Sequence, residues 1–275
     1  MTETGSTAAL APLPLLAAVK PDKATLELAR VLIRAPGEQL SGTLLVTGNP
    51  GGSFHLSNGD VIAVESPGSP GTEALLLRSG RLGEADWAAA QQAGAVDNRT
   101  GAELIARMLV GAAELQLMCR MAAVDGAFAM GMGRIDRCTL EGPAACHLAA
   151  PQGIEPDWLL QETVRRIRAF GALPFAISPY RDRVTLTPAG AAQLNGSKTG
   201  ERREILLRVN GRRSSRDIAF LLGRSLYAVT VELSRLLGEG LVEVTHRAAS
   251  ELPLRRRGTS GINDALPLRP AVDRR

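Results

Sequence analysis

The sequence predicts an α+β chain: a small antiparallel β-meander with helices, then a helical linker, then a C-terminal winged helix. Three observations carry that prediction. Residues 40–65 hold three short β-rich runs separated by tight-turn residues. Residues 71–170 are mostly segments whose apolar residues recur at helical spacing. Residues 201–245 place three helix-length patterns, two turn signals and a β-branched strand in the order a helix-turn-helix with a wing requires. At 275 residues the chain has room for one large domain or two ordinary ones.

Residues 1–24 form the expected leader. They carry Pro12, Pro14 and Pro21, and an apolar patch with no basic residue ahead of it, so a disordered leader is expected rather than a signal peptide. An α+β domain is expected over 25–150. It opens with a short amphipathic helix, Thr25–Arg34, ended by Pro36-Gly37. Strands follow at Leu40–Thr47, Ser53–Leu56 and Val61–Glu65. The turn cluster Gly48-Asn49-Pro50-Gly51-Gly52 separates the first two, and Asn58-Gly59 closes the second hairpin. Helices are expected at Gly71–Arg78, Glu84–Gln92, Gly101–Cys119 and Ala122–Met132. Thr139–Leu148 is compatible with a strand, turning at Gly142-Pro143.

A helical linker is expected over 151–200. Asp157 caps a helix Trp158–Phe170 there, with Leu159, Val164 and Ile167 on its apolar stripe. A loop with a short VTLT strand, a brief helix Pro188–Leu194 and a flexible joint 195–200 complete it. The winged helix is assigned to 201–257 and a disordered tail to 258–275, too rich in Pro, Gly and Arg to bury a core.

Within the winged helix, the first helix is expected at Glu201–Val209 with Ile205, Leu206 and Val209 inward. Asn210-Gly211 ends it. Ser214 or Ser215 caps the second helix, packed through Ile218, Ala219, Leu221 and Leu222, with Asp217 in its first turn. Gly223 makes the turn and Ser225 caps the third helix. There Leu226, Val229, Leu233, Leu236 and Leu237 recur on one face. Leu241–Thr245 is the first wing strand, with Leu252–Arg256 as its expected partner.

Charge points the same way. Residues 1–150 carry 11 basic and 15 acidic groups, and residues 151–275 carry 21 and 13, so a chain of net charge +4 divides into halves of −4 and +8. Such asymmetry suggests two modules with different partners. If the third helix enters a major groove, it presents Arg224, Tyr227, Ala228, Val231 and Arg235. That face lacks the Asn or Gln that reads adenine. Arg247, Arg255, Arg256 and Arg257 on the wing, and Arg212, Arg213 and Arg216 before the second helix, suit phosphate contact. The same arginines also suit a solvated face or an acidic protein partner. Tyr227, Ala228 and Val231 form an apolar patch suited to a protein partner or a homodimer.

Other chemistry is thinly represented. Aromatic residues are 3% of the chain, against the exposed rings of a base-stacking platform. Cys119, Cys138 and Cys146 lack the paired spacing of zinc sites, so buried free thiols in a reducing cytoplasm are expected, with no metal. The sequence has no phosphate-binding Walker loop and no G-x-S-x-G or H-E-x-x-H motif, and no cofactor is implied. His55, His147 and His246 are isolated in sequence, and His55 reads as structural. A hydrolase would require a polar pocket in which the fold brings a histidine and a carboxylate together. No apolar run is long enough to span a membrane.

Gly42-Thr43-Leu44, Asn58-Gly59, Ala63-Val64-Glu65 and Gly71-x-Glu73-Ala74-Leu75 together form a pattern of strand, hairpin, strand and helix. The pattern resembles the PATAN-type domain, related to the N-terminal domain of the PatA response-regulator family. In bacterial proteins of that type a helical segment and a winged helix often follow. Val209-x-Gly211-Arg212-Arg213-Ser214, Ile218-Ala219 and Leu233…Leu236…Gly240-Leu241-Val242 fit that unit. The resemblance spans residues 25–245. It implies a signalling or protein-interaction module without catalytic residues, similar to actinobacterial regulators of aerial mycelium formation. The combined expectation is a non-enzymatic cytoplasmic regulator whose winged helix contacts DNA, or an adaptor whose winged helix contacts protein instead.

Overall fold

The first helix, α1 (Lys23–Glu38), buries Leu28, Leu32 and Ala35 along one face. It runs through Pro36, where the sequence placed its end. A proline in the last turn forfeits one backbone bond while Ala35 stays packed, and Gln39 in the left-handed region (φ 49°) stops the helix instead. This is the start of a computed structural model that describes residues 23–95, 99–196 and 200–245.

Three strands follow as a meander: β1 (Gly42–Asn49), β2 (Gly52–Ser57) and β3 (Asp60–Glu65). Asn58 and Gly59 both take positive φ in the turn between β2 and β3, as a tight hairpin with right-handed strand twist demands. Antiparallel pairing puts Leu44, Val46, Phe54, Leu56 and Val64 into the core. A fourth strand, β4 (Arg134–Glu141), pairs antiparallel with β1 and gives the order β3-β2-β1-β4. It starts upstream of the ambiguous segment 139–148 and shares only residues 139–141 with it. Mostly exposed and at the sheet edge, it carries no clear apolar alternation.

Between β3 and β4 lie α2 (Thr72–Arg78), α3 (Glu84–Gly94), α4 (Thr100–Ala106) and α5 (Ala112–Gly131). The single helix expected at Gly101–Cys119 is split. Met108 adopts φ 55° and Gly111 precedes α5 in extended geometry, which folds Leu104 and Leu115 into one core. The next helix, α6 (Pro156–Gly171), begins at Glu155, with Pro156 as its first residue. Asp157 lies in its first turn rather than at its cap, because proline's fixed φ and missing N–H suit that first position.

The C-terminal part comprises β5 (Val184–Leu186), α7 (Pro188–Gly196), α8 (Glu201–Arg208), α9 (Ser215–Leu222), α10 (Leu226–Gly238) and β6 (Val242–Val244). Ile205, Leu206, Val209, Ile218 and Ala219 are buried, and so are Leu226, Val229, Leu233 and Leu236 along α10. Each fully buried Leu or Val contributes about 1.5–3 kcal/mol. Leu221 is 44% exposed, contrary to expectation, because Ile218, Ala219 and Leu222 already occupy the inward side of α9. The wing strand β6 pairs with the upstream β5. Leu252–Arg256, its expected partner, lies outside the described residues.

Two apolar cores result. One lies between the sheet and α1 to α6, and the other beneath α8, α9 and α10. Helix α5 serves both: Leu115, Ala123 and Val124 belong to the first, Phe128 and Ala129 to the second. A side chain at Gly126 would meet Val64 of β3 at 3.0 Å, so the glycine lets α5 lie close on the sheet. Helix α6 likewise contributes Leu159 to the first core and Phe170 to the second.

Gly223, the turn between α9 and α10, is doubly constrained. It takes φ 59°, and an added Cβ would collide with the Arg78 side chain of α2. Left-handed strain costs roughly 1–2 kcal/mol and overpacking roughly 1–3 kcal/mol. Gly223→Ala is therefore expected to lower the unfolding free energy by about 2–5 kcal/mol, read from urea melts followed by circular dichroism; a loss below 1 kcal/mol would contradict this close approach.

Candidate functional site

Helix α9 starts as its sequence dictates. The Ser214 side chain accepts from the Asp217 amide at 3.2 Å, and the Ser214 amide donates to Asp217 Oδ2 at 2.9 Å, a reciprocal capping box. Ser225 caps α10, accepting from the Ala228 amide at 3.3 Å. The amides nearest the α10 terminus have a more distant acceptor, the Asp125 carboxylate of α5. It accepts from the amides of Leu226 and Tyr227 and from Ser225 Oγ at 2.7 Å. Asp125 is 1% exposed. Burial pushes its carboxyl above the usual carboxylate range, and the Ser225 hydroxyl, the two amides and the Arg166 guanidinium 3.7 Å away pull it back.

This docking decides what α10 presents. The ring of Tyr227 packs edge-on against Phe128 with centroids 5.3 Å apart, and the Arg166 guanidinium lies 5.2 Å from its centroid. Tyr227 is thus half-buried within the protein, and Val231 packs on the C-terminal core. Ala228 and Arg235 are exposed. Arg235 lies 3.7 Å from Glu232, and Arg224 is paired with Glu204 at 2.7 Å and Glu201 at 3.2 Å. Arg202 adds a fork on Glu239 at 2.7 Å.

Arg212, Arg213 and Arg216 differ from these. Arg212 is exposed, and its guanidinium has no partner among the described residues. Arg213 donates to the Arg208 carbonyl at 3.1 Å. Arg216 donates from Nε to the Pro67 carbonyl at 2.7 Å and lies over the Phe220 ring at 4.9 Å. It forms one wall of a cleft of about 890 Å³, which Arg134, Arg181 and Arg183 also line. Arg247, Arg255, Arg256 and Arg257 lie outside the described residues.

A second concavity, of about 770 Å³, is lined by the β1–β2 turn, the end of β3 and the start of α2, with Trp87, His147 and Phe220. Strand register places Ser53 opposite Glu65 and His55 opposite Thr43. His55 is buried; its Nε2 lies 3.3 Å from Ser53 Oγ and 3.6 Å from Glu65 Oε2, and its Nδ1 lies 3.5 Å from Thr43 Oγ1. The hydrogen bond from His55 holds the Glu65 carboxyl below its ordinary value. In a nucleophilic triad the carboxylate orients the ring from the nitrogen facing away from the nucleophile. Here Ser53 and Glu65 share Nε2, and the hydroxyl on Nδ1, Thr43, is buried and accepts from the Ala144 amide at 3.0 Å, so these contacts cross-link one face of the sheet.

Cys119 and Cys146 are buried free thiols, pushed by burial up to about 11 and about 12; Cys138 is partly buried and its Sγ donates to the Ala24 carbonyl at 3.5 Å. Among the described residues no group of three His, Cys, Asp or Glu side chains converges as a metal site, and no helix is long and apolar enough to cross a membrane. Comparison with protein-family models, curated proteins and solved structures finds no match for this chain. The PATAN-type resemblance therefore rests on its motif residues alone.

Asp125 is the functional residue that sequence reasoning missed. The signal was present: one carboxylate inside the apolar run Ala122–Met130 must find donors once that helix is buried. Removing it orphans the donors it serves and leaves Arg166 beside an apolar gap. Asp125→Ala is expected to cost about 3 kcal/mol in urea melts, and Asp125→Asn, which keeps one acceptor oxygen, less. Equal stability of all three proteins would remove this carboxylate from its assigned role.

Proposed function

We propose that the chain is a non-enzymatic cytoplasmic regulatory protein, an adaptor whose winged-helix unit contacts protein rather than reading base sequence. The observation that supports this reading is the docking of the α10 N-terminus on Asp125. Helix-turn-helix proteins contact base edges with the N-terminal residues of the recognition helix. Here those residues are turned into the protein, with Tyr227 held between Phe128 and Arg166. The remaining outward positions pair their charge internally: Arg224 with Glu201 and Glu204, and Arg235 with Glu232.

A second reading, sequence-independent DNA contact through phosphates, is favoured by one observation. Arg212 and Arg216 keep positive charge that no carboxylate fully neutralises. Signalling input through the sheet domain accords with the PATAN-type resemblance, and developmental regulation is the role that resemblance suggests.

Salt dependence separates the two readings. The adaptor reading expects duplex binding by fluorescence anisotropy to be weak and unchanged by Arg212→Ala. It also expects protein partners captured from the native host to survive 300 mM salt, roughly the range in which phosphate contacts have lost several orders of magnitude of affinity. Tight duplex binding whose log–log salt slope drops by about one on Arg212→Ala would establish phosphate contact and displace the adaptor reading.

A further inference from the structure

The arginine-lined cleft is independent of whether the winged helix touches protein or DNA. Many arginines elsewhere on the described surface are spent on carboxylates. Arg34 pairs with Glu38, Arg165 and Arg166 with Glu162, Arg202 with Glu232 and Glu239, and Arg224 with Glu201 and Glu204. In the cleft the arrangement changes. Arg183 donates to the carbonyls of Tyr180 and Asp182, at 2.8 and 3.3 Å. Arg216 donates to the Pro67 carbonyl. The Arg181 guanidinium has no partner among the described residues. Carbonyls fix the direction of a guanidinium without cancelling its charge.

The neighbouring carboxylates are largely committed. Asp217 Oδ2 accepts from the Ser214 amide and hydroxyl, leaving Oδ1 at 3.6 Å from Arg216. Asp182 accepts from the Ser178 amide at 2.7 Å, and Asp136 holds Arg134 at the rim at 2.9 Å. Because Ser214 and Asp217 already occupy the first turn of α9, the arginines and not the helix end supply the attraction.

Pro50, Pro67 and Met132 give the lining an apolar part, beside Tyr180. The Tyr180 hydroxyl is anchored on the Ala129 carbonyl at 2.6 Å. A volume of about 890 Å³ falls within the range of roughly 300–1,000 Å³ typical of small-molecule sites. Planar guanidiniums with free forks match phosphate oxygens bidentately.

We propose that this cleft binds a small organic phosphate of nucleotide size, its phosphates on Arg181, Arg183 and Arg216 and its apolar part against Pro50, Pro67 and Met132. The site joins the β1–β2 turn and the start of β4 to the loop before β5 and the start of α9, so one ligand touches both parts of the protein.

Titration calorimetry of the full chain with sodium pyrophosphate, with ADP and with a 20-base-pair duplex tests this. ADP is expected to bind at least tenfold more tightly than pyrophosphate, since only ADP uses the apolar part of the lining. Arg181→Ala alone is expected to weaken ADP binding at least fivefold. Arg181→Ala with Arg216→Ala is expected to weaken it at least thirtyfold, while Arg212→Ala, outside the cleft, leaves it unchanged. Arg181 makes no side-chain contact that folding depends on, so its single variant reports on the ligand even if the double variant unfolds. Absence of binding by both phosphates at millimolar concentration overturns the proposal. So does binding indifferent to Arg181→Ala, or duplex binding that depends on Arg181 while ADP does not bind.

Discussion

One carboxylate governs how the C-terminal helices are held. A buried, ionised aspartate is costly unless several donors surround it, and a helix N-terminus is a place where donors lack acceptors. Asp125 and the start of α10 solve each other's problem: two amides and the Ser225 hydroxyl satisfy the acid, and the acid satisfies the helix. The positive end of the α10 dipole adds to the match. Arg166 completes the balance from α6, itself oriented by Glu162 at 3.0 Å. Everything nearby is arranged around that junction, including the edge-on contacts of Phe128 with Tyr227 and Phe170. Since α5 also underlies the sheet, the helix-turn-helix is fastened to the element that organises the other core.

The distribution of arginine follows from the same junction. With the start of α10 turned inward, its outer positions and those of α8 form a neutralised surface in which Glu201, Glu204, Glu232 and Glu239 take up Arg202, Arg224 and Arg235. The excess positive charge of residues 151–275 therefore does not collect on α10. Part of it gathers in the cleft beside the β1–β2 turn, where backbone carbonyls hold the Arg183 and Arg216 guanidiniums and only Arg134 has a carboxylate as close as 2.9 Å. A net charge count over a segment sees the excess but not its address, which depends on which acids fold beside which bases.

Local chemistry was legible. Asn58-Gly59 dictated the hairpin, Ser214 with Asp217 the start of α9, Gly223 its left-handed end, and the spacing of Leu226, Val229, Leu233 and Leu236 the buried stripe of α10. What escaped were features set by residues distant in sequence. Strand β4 is an exposed edge whose identity comes from β1, not from its own alternation. Strand β6 pairs with β5 across the whole helix-turn-helix, where a local reading sought a hairpin partner downstream. Tyr227 has the spacing of an outward residue on α10, yet α5 and α6 cover it. The sheet-face network of Thr43, Ser53, His55 and Glu65 needed only the strand register to be foreseen, because residues two apart on one strand and opposite on the next share a face.

The junction also constrains how any signal can travel. A ligand shifts a conformational equilibrium only by its differential affinity for the two states. Freeing the start of α10 would expose the Phe128 and Tyr227 rings and strip Asp125 of its donors, a cost of several kcal/mol. Reversing a 99:1 preference for the docked arrangement takes a differential of about 5.5 kcal/mol. A molecule seated among Pro50, Pro67, Arg181 and Arg216 touches groups that only the docked arrangement brings together. It therefore adds to the docked side of the balance. Occupancy of the proposed cleft would thus favour the arrangement in which the start of α10 is docked on Asp125.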